Sequence, residues 1–120
     1  MKALAYICSY KEDEQEFLNE IKQQKEKIEI FAKNNNIEIL DYYYEKHFAR
    51  DDYKPVLFEI IANFYGKTDK LIAYNTDAIS QNGNFKNWVK DELSRINIEL
   101  ITVSENESQA FVKAYNLKNK

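Results

Sequence analysis

Three adjacent side chains near the start of the chain could each do chemistry. Cys8, Ser9 and Tyr10 offer a thiol, a hydroxyl and a phenol, groups that form covalent intermediates when a neighbouring base or cation activates them. Two acids, Glu45 and Asp77, and the lysine Lys54 stand in later connecting segments, with Ala78 and Gln81 close behind Asp77. A hydroxyl attacking a phosphate ester needs cations placed to offset the charge that develops on the ester oxygens. Arginine suits this best because its planar fork grips two oxygens at once, and the chain holds only Arg50 and Arg95. His47 is the single histidine, so no pair of soft ligands exists to found a metal site, and neither metal nor cofactor is expected.

The three groups need a rigid support, and the residues before them supply one. Lys2–Tyr10 is a short apolar run, and the charged stretch Lys11–Glu16 ends it abruptly. Such a run reads as a strand buried on both faces. In an open parallel sheet the carboxyl end of a strand is where ligands and chemistry sit, which puts Cys8, Ser9 and Tyr10 where a site is expected. A long amphipathic helix is predicted over Glu12–Asn34, with Phe17, Ile21, Ile28 and Phe31 inward, Leu18 and Ala32 widening the stripe, and Asp13 as its cap. A second strand follows over Ile37–Tyr44, and a helix from Pro55 to about Tyr65, stopped by Gly66, with Leu57, Ile61 and Phe64 as its core line. Lys70–Tyr74 is a third strand, and Asn75–Gln81 a loop or single helical turn. Asn82-Gly83 reads as a turn and Asn84 as the cap of a helix through Ile96. A fourth strand spans Ile98–Val103 and a last short helix Glu105–Tyr115. This alternation predicts an α/β fold: one three-layer domain, a mainly parallel sheet of four or five strands with helices on both faces.

Composition narrows the classes. The chain has 120 residues, enough for one domain with a real core, and 44% of them are hydrophobic. Lysine and arginine number 17 against 20 acids, a net charge of −3; a protein that holds DNA by its phosphates usually carries the opposite balance. No apolar run approaches the ~20 residues of a membrane span, and the first residues do not read as a signal peptide. With one cysteine and no export signal, the reducing cytoplasm is the expected location.

The order of elements and several local phrases resemble the catalytic domain of the serine recombinases, the resolvase/invertase family. The phrases are Ala5-Tyr6-Ile7, Gln24-Lys25-Glu26-Lys27-Ile28, Asn36-Ile37-Glu38-Ile39, Lys54-Pro55, Asp77-Ala78-Ile79-Ser80-Gln81 and Ile98 to Glu105. The resemblance implies the family's fold over Ala3 to Glu105. It also implies a chemistry in which a serine attacks a DNA phosphodiester while arginines hold the phosphate. The family's opening motif, Tyr-x-Arg-x-Ser, falls on Tyr6, Cys8 and Tyr10, so the arginine is replaced by Cys8 and the serine by Tyr10. The later arginines fall on Ala78 and Gln81, and the one before Pro55 on Lys54, while the acids Glu45 and Asp77 survive. Ser9 becomes the nucleophile only if one residue is deleted from the loop, which supplies no arginine and turns the side chain to the other face of the strand.

The expectation is a degenerate site in which Glu45 and Asp77 have nothing to balance them and DNA is not cleaved. Cys8 reads as a small buried hydrophobe, Tyr10 as a packing residue and Asp77 as the cap of the turn after it. DNA binding is expected to be weak or absent. Nine tyrosines and seven phenylalanines exceed what one small core needs, so Tyr42, Tyr43, Phe58, Tyr65 and Trp88 are candidates for a surface that binds a protein partner or a second copy. Two alternatives stay open: an active or accessory recombinase subunit, and a small-ligand module using the strand ends near Tyr10, Glu45, Lys54 and Asp77. The resemblance also implies a long C-terminal helix and a separate DNA-binding domain in family members, neither of which is expected within residues 1–120.

Overall fold

In the computed structural model the described residues are 1–46, 54–63 and 68–104. They form β1 (Lys2–Ser9), α1 (Glu14–Asn34), β2 (Glu38–Lys46), α2 (Pro55–Asn63), β3 (Lys70–Ala73), α3 (Thr76–Ile79), α4 (Gly83–Arg95) and β4 (Glu99–Thr102). The four strands pair in the order β2-β1-β3-β4, every pair parallel. The α/β reading holds, with four strands among the described residues. The helix expected from Glu105, and the end of the second helix at Phe64 to Gly66, lie outside them.

β1 is central, and its alternating side chains found two cores. Ala3, Ala5 and Ile7 pack with Ile28 and Ala32 of α1 and with Ile72 and Val103. Leu4, Tyr6 and Cys8 face the other way, against Leu57 and Ile60 of α2, Ala78 and Ile79 of α3, and Val89 and Leu93 of α4. A strand covered on both faces must be apolar along its whole length, and Ala3 through Ser9 are all buried.

Two helix–strand joins are built alike. Asn36 and Asn97 adopt φ of 56° and 62°, the left-handed conformation that asparagine tolerates. After α1, the Ile37 N–H donates to Ala32 O at 2.8 Å; after α4, the Ile98 N–H donates to Leu93 O at 2.8 Å. Each bond closes a Schellman motif, and the residues it links are apolar and buried together. The first stop is visible in the Asn34-Asn35-Asn36 run, whereas the second rests on Asn97 alone.

The remaining corrections are local. Asp13 does cap α1, accepting from the Glu16 N–H at 3.0 Å, but Leu18 is 51% exposed and does not widen the buried stripe. Ile60, with Leu57, forms the buried line of α2; Ile61 is only half-buried. α4 begins one turn signal earlier than expected: Asn82, not Asn84, is its cap, with Oδ1 accepting from the N–H groups of Asn84 at 2.9 Å and Phe85 at 3.2 Å. Gly83 is therefore helical. No helix among the described residues is long and apolar enough to cross a membrane.

Candidate functional site

The carboxyl ends of β1, β2 and β3 gather Cys8, Ser9, Tyr10, Glu45, Lys54, Asp77 and Ala78 into one region, in which the pleat of β1 turns successive side chains to opposite faces. Side chains alternate along a strand, so Cys8 points to the α2–α4 side and Ser9 to the α1 side.

The Cys8 side is a polar cluster whose members bond one another. Glu45, near the end of β2, is buried. Its Oε1 accepts from the Tyr6 phenol at 2.6 Å and the Leu57 N–H at 3.2 Å, and its Oε2 from the Val56 N–H at 2.9 Å. Val56 and Leu57 belong to the first turn of α2, whose amides have no intrahelical acceptor. Pro55 ahead of them has no amide to satisfy. A carboxylate from the neighbouring strand thus caps the helix, where the helix dipole favours negative charge.

Lys54 precedes α2 and is fully buried. Its Nζ donates to the Tyr10 hydroxyl at 2.9 Å, to Cys8 Sγ at 3.3 Å and to Ala78 O at 3.4 Å, and lies 4.7 Å from the centre of the Tyr10 ring. The Tyr10 hydroxyl in turn donates to Asp77 O at 2.6 Å. An ammonium has three protons to give, and here three protein atoms receive them. Burial pushes the Cys8 thiol above its ordinary value, against the downward pull of Lys54. Burial, then the nearby Cys8 and the bond to Glu45, hold the Tyr6 phenol far above the usual range. Neither group is an activated nucleophile.

Several sequence expectations change here. Glu45 and Asp77 are not unbalanced acids: Glu45 takes three donors, and the exposed Asp77 carboxylate pairs with Lys86 at 3.4 Å. Asp77 does not cap α3; Asn75 does, through Oδ1 to the Ala78 N–H at 3.0 Å. Tyr10 is more than a packing residue, because it links Lys54 to the α3 backbone. Cys8 is buried as expected, yet it also accepts from an amine. Ala78 is core, and Gln81 is exposed.

Ser9 is completely buried, and its Oγ accepts from the Lys11 N–H at 3.2 Å. Lys54 converges on Cys8 and Tyr10, not on Ser9. Arg95 ends α4 and is exposed, bonded to Glu92; Arg50 and His47 lie outside the described residues.

A cavity of about 470 Å³ opens between α1, the end of β1 and the loop after β3, with Cys8, Tyr10, Asp77 and Ala78 of the Lys54 cluster along one wall. Its wall includes Gln24, which sequence reasoning noted only within a motif phrase. Gln24 occupies the inward line of α1, three residues after Ile21 and four before Ile28, a spacing that marks a core-facing position held by an amide.

The aromatic candidates do not form one surface. Tyr42 and Tyr43 are neighbours on β2 and so face opposite sides of the sheet: Tyr42 packs on the α1 core, under Lys25 at 5.1 Å, and Tyr43 on the other. Phe58 and Trp88 do meet, through Phe85: the Phe58 ring stands edge-on to Phe85 at 5.9 Å and to Trp88 at 6.0 Å, and Phe85 and Trp88 stack at 5.7 Å. Trp88 is 46% exposed. Tyr65 lies outside the described residues.

No family model matches the chain, and no curated protein matches it. Solved structures do. The N-terminal catalytic domain of TP901-1 integrase superposes with a TM-score of 0.73 at 16% identity, covering 99% of this chain and 94% of that one. A resolvase family site-specific recombinase from Streptococcus pneumoniae gives 0.72 at 14% identity, covering 98% and 91%. The C-terminal catalytic domain of an IS607-like serine recombinase gives 0.69 at 14% identity, covering 86% and 70%. The fold is that of a serine-recombinase catalytic domain.

Proposed function

We propose that this chain is a serine-recombinase-fold domain that does not cleave DNA and works by binding a protein partner. The observation that carries the reading is Lys54. It stands at the head of α2, beside the positions that would hold nucleophile and arginine, and it is wholly buried with its protons given to Cys8, Tyr10 and Ala78. A cation consumed by the protein's own acceptors does not bind a phosphate.

The side chains left to attack fare no better. Tyr10 is bonded on both sides of its hydroxyl, and Ser9 is buried with no cation among the atoms that bond it. Loss of a single preorganised donor to a developing oxyanion slows such a reaction by about a hundred- to a thousand-fold, and here both positions that align with the opening motif's cation and nucleophile differ. The cluster of Phe58, Phe85 and Trp88 supports the partner half of the reading, since half-exposed tryptophan anchors interfaces.

The test is covalent trapping on DNA substrates nicked so that a protein–phosphate linkage cannot reverse. No adduct is expected with the chain or with its Ser9→Ala and Tyr10→Phe variants. An adduct that disappears in either variant overturns the reading.

A further inference from the structure

Gln24 carries a specific anomaly. Its Nε2 donates to Cys8 O at 3.0 Å and to Glu20 Oε1 at 3.3 Å. Both partners are acceptors only, so the amide orientation is fixed by its bonds and cannot be reversed. That leaves Oε1 buried and, among the described residues, without a partner, in a residue only 7% exposed. An unmet buried acceptor is destabilising and calls for a cause.

The residue stands in the wall of the 470 Å³ cavity. That cavity opens between the carboxyl ends of β1 and β3, where a sheet ordered β2-β1-β3-β4 reverses its winding, the place where doubly wound folds hold ligands. Its size falls within the range of small-molecule sites.

The lining defines the ligand. Gln24 has an acceptor to offer and no remaining donor, so it asks for an N–H group. Tyr74 supplies an aromatic face, with Lys27 Nζ 5.8 Å from its centre. Lys11 and Lys27 are the cations of the wall. Of its two acids, Glu20 accepts from Gln24 within the wall and Asp77 pairs with Lys86. Two lysines suit one small anion; a DNA backbone needs a broad basic surface.

We propose that this cavity binds a free mononucleotide with an amino-bearing base: the base lies against Tyr74, its exocyclic amine donates to Gln24 Oε1, and Lys11 and Lys27 meet the phosphate. The wall also includes Cys8, Tyr10, Asp77 and Ala78, so the site borders the Lys54 cluster and the inference rests on the reading that this strand end does not cleave DNA. Covalent trapping tests that reading, and mononucleotide titration tests this one.

Calorimetric titration of the full chain tests it. Adenosine 5′-monophosphate should bind saturably, at least about tenfold tighter than adenosine or inorganic phosphate, each of which lacks one of the paired contacts. Purine riboside 5′-monophosphate, without the amine, should bind about tenfold more weakly, the discrimination expected when a buried acceptor is left unpaired. Lys11→Ala should weaken the nucleotide about fivefold, as loss of one exposed charge contact does, and Gln24→Met about tenfold or more. If Gln24→Met does not fold, the purine riboside comparison asks the same question from the ligand side. No saturable binding, equal binding of nucleotide and inorganic phosphate, indifference to the amine, or binding of a single DNA strand without the mononucleotide each overturns the proposal.

Discussion

The two sides of β1 at its carboxyl end make different use of the same strand. On the Cys8 side, Tyr6, Glu45, Lys54 and Tyr10 exchange hydrogen bonds among themselves and with the first turn of α2. On the α1 side, Gln24 keeps an acceptor unmet, among the described residues, beside a cavity whose far wall is the Cys8 and Tyr10 edge of that cluster. A polar cluster whose members satisfy one another behaves as structure, because it has nothing left to give a ligand. A buried polar atom that the chain leaves unmet beside a cavity behaves as a place for something else. Residue type alone does not separate the two, since both sides hold titratable or amide groups at the strand ends where chemistry is expected.

The contrast can be broken most forcefully at Glu45. Glu45→Ala removes a buried acceptor of three hydrogen bonds and should lower stability by about 3 kcal/mol or more in urea unfolding, since bonds to a charged group are worth more than neutral ones. A loss below about 1 kcal/mol, the size of one ordinary hydrogen bond, would mean the cluster is not structural.

Lys54→Met keeps the apolar length of the side chain and loses its donors, while Tyr10 retains its bond to Asp77 O. It should cost about 2 kcal/mol in the same assay.

The alkaline limb of stability reports on the cluster from another direction. Burial holds the Cys8 thiol above its ordinary value of 9.0, and the Tyr6 phenol further above its own. The unfolded chain therefore releases these protons first. Stability should be intact below about pH 9 and fall above it, by about 1.4 kcal/mol per pH unit for each group that has ionised only in the unfolded state. Urea unfolding between pH 8 and 10.5 should show the fall, and Cys8→Ala should flatten it. A limb unchanged by the substitution would place the effect elsewhere.

On the open side the changes should be small. Gln24→Met loses two bonds but removes the unmet acceptor, so stability should move by no more than about 1 kcal/mol. Trp88→Ala should cost about 1 kcal/mol through the lost ring contacts with Phe58 and Phe85. If partner binding runs through this cluster, the same variant should abolish concentration-dependent association in light scattering. An unchanged association would move the interface away from α4.

The frame of the fold could be read from the sequence because its signals are local. The apolar run of β1, the helical spacing of Phe17, Ile21 and Ile28, and Pro55 at a helix start each act within a few residues. Asn82 in place of Asn84 as the α4 cap was a competition between two equally suited caps two residues apart, which spacing does not decide. The site was legible as a list of positions and not as an arrangement. Glu45 and Asp77 looked unbalanced because their partners come from elsewhere: Tyr6 is 39 residues from Glu45, and Lys86 lies on α4. Lys54 meets Cys8 across 46 residues. Gln24 was the one missed residue with a local sign, an amide standing where its helix needed a hydrocarbon.

The central claim is that this strand end grips no DNA phosphate. Equilibrium binding to duplex and single-stranded DNA, measured from 50 to 200 mM salt, tests it most directly, because each phosphate neutralised by lysine or arginine contributes about −0.7 to −0.9 to the slope of log affinity against log salt. The account expects no measurable binding at any of these concentrations. Micromolar binding with a slope of several, lost when Lys54 is replaced by methionine, would contradict it.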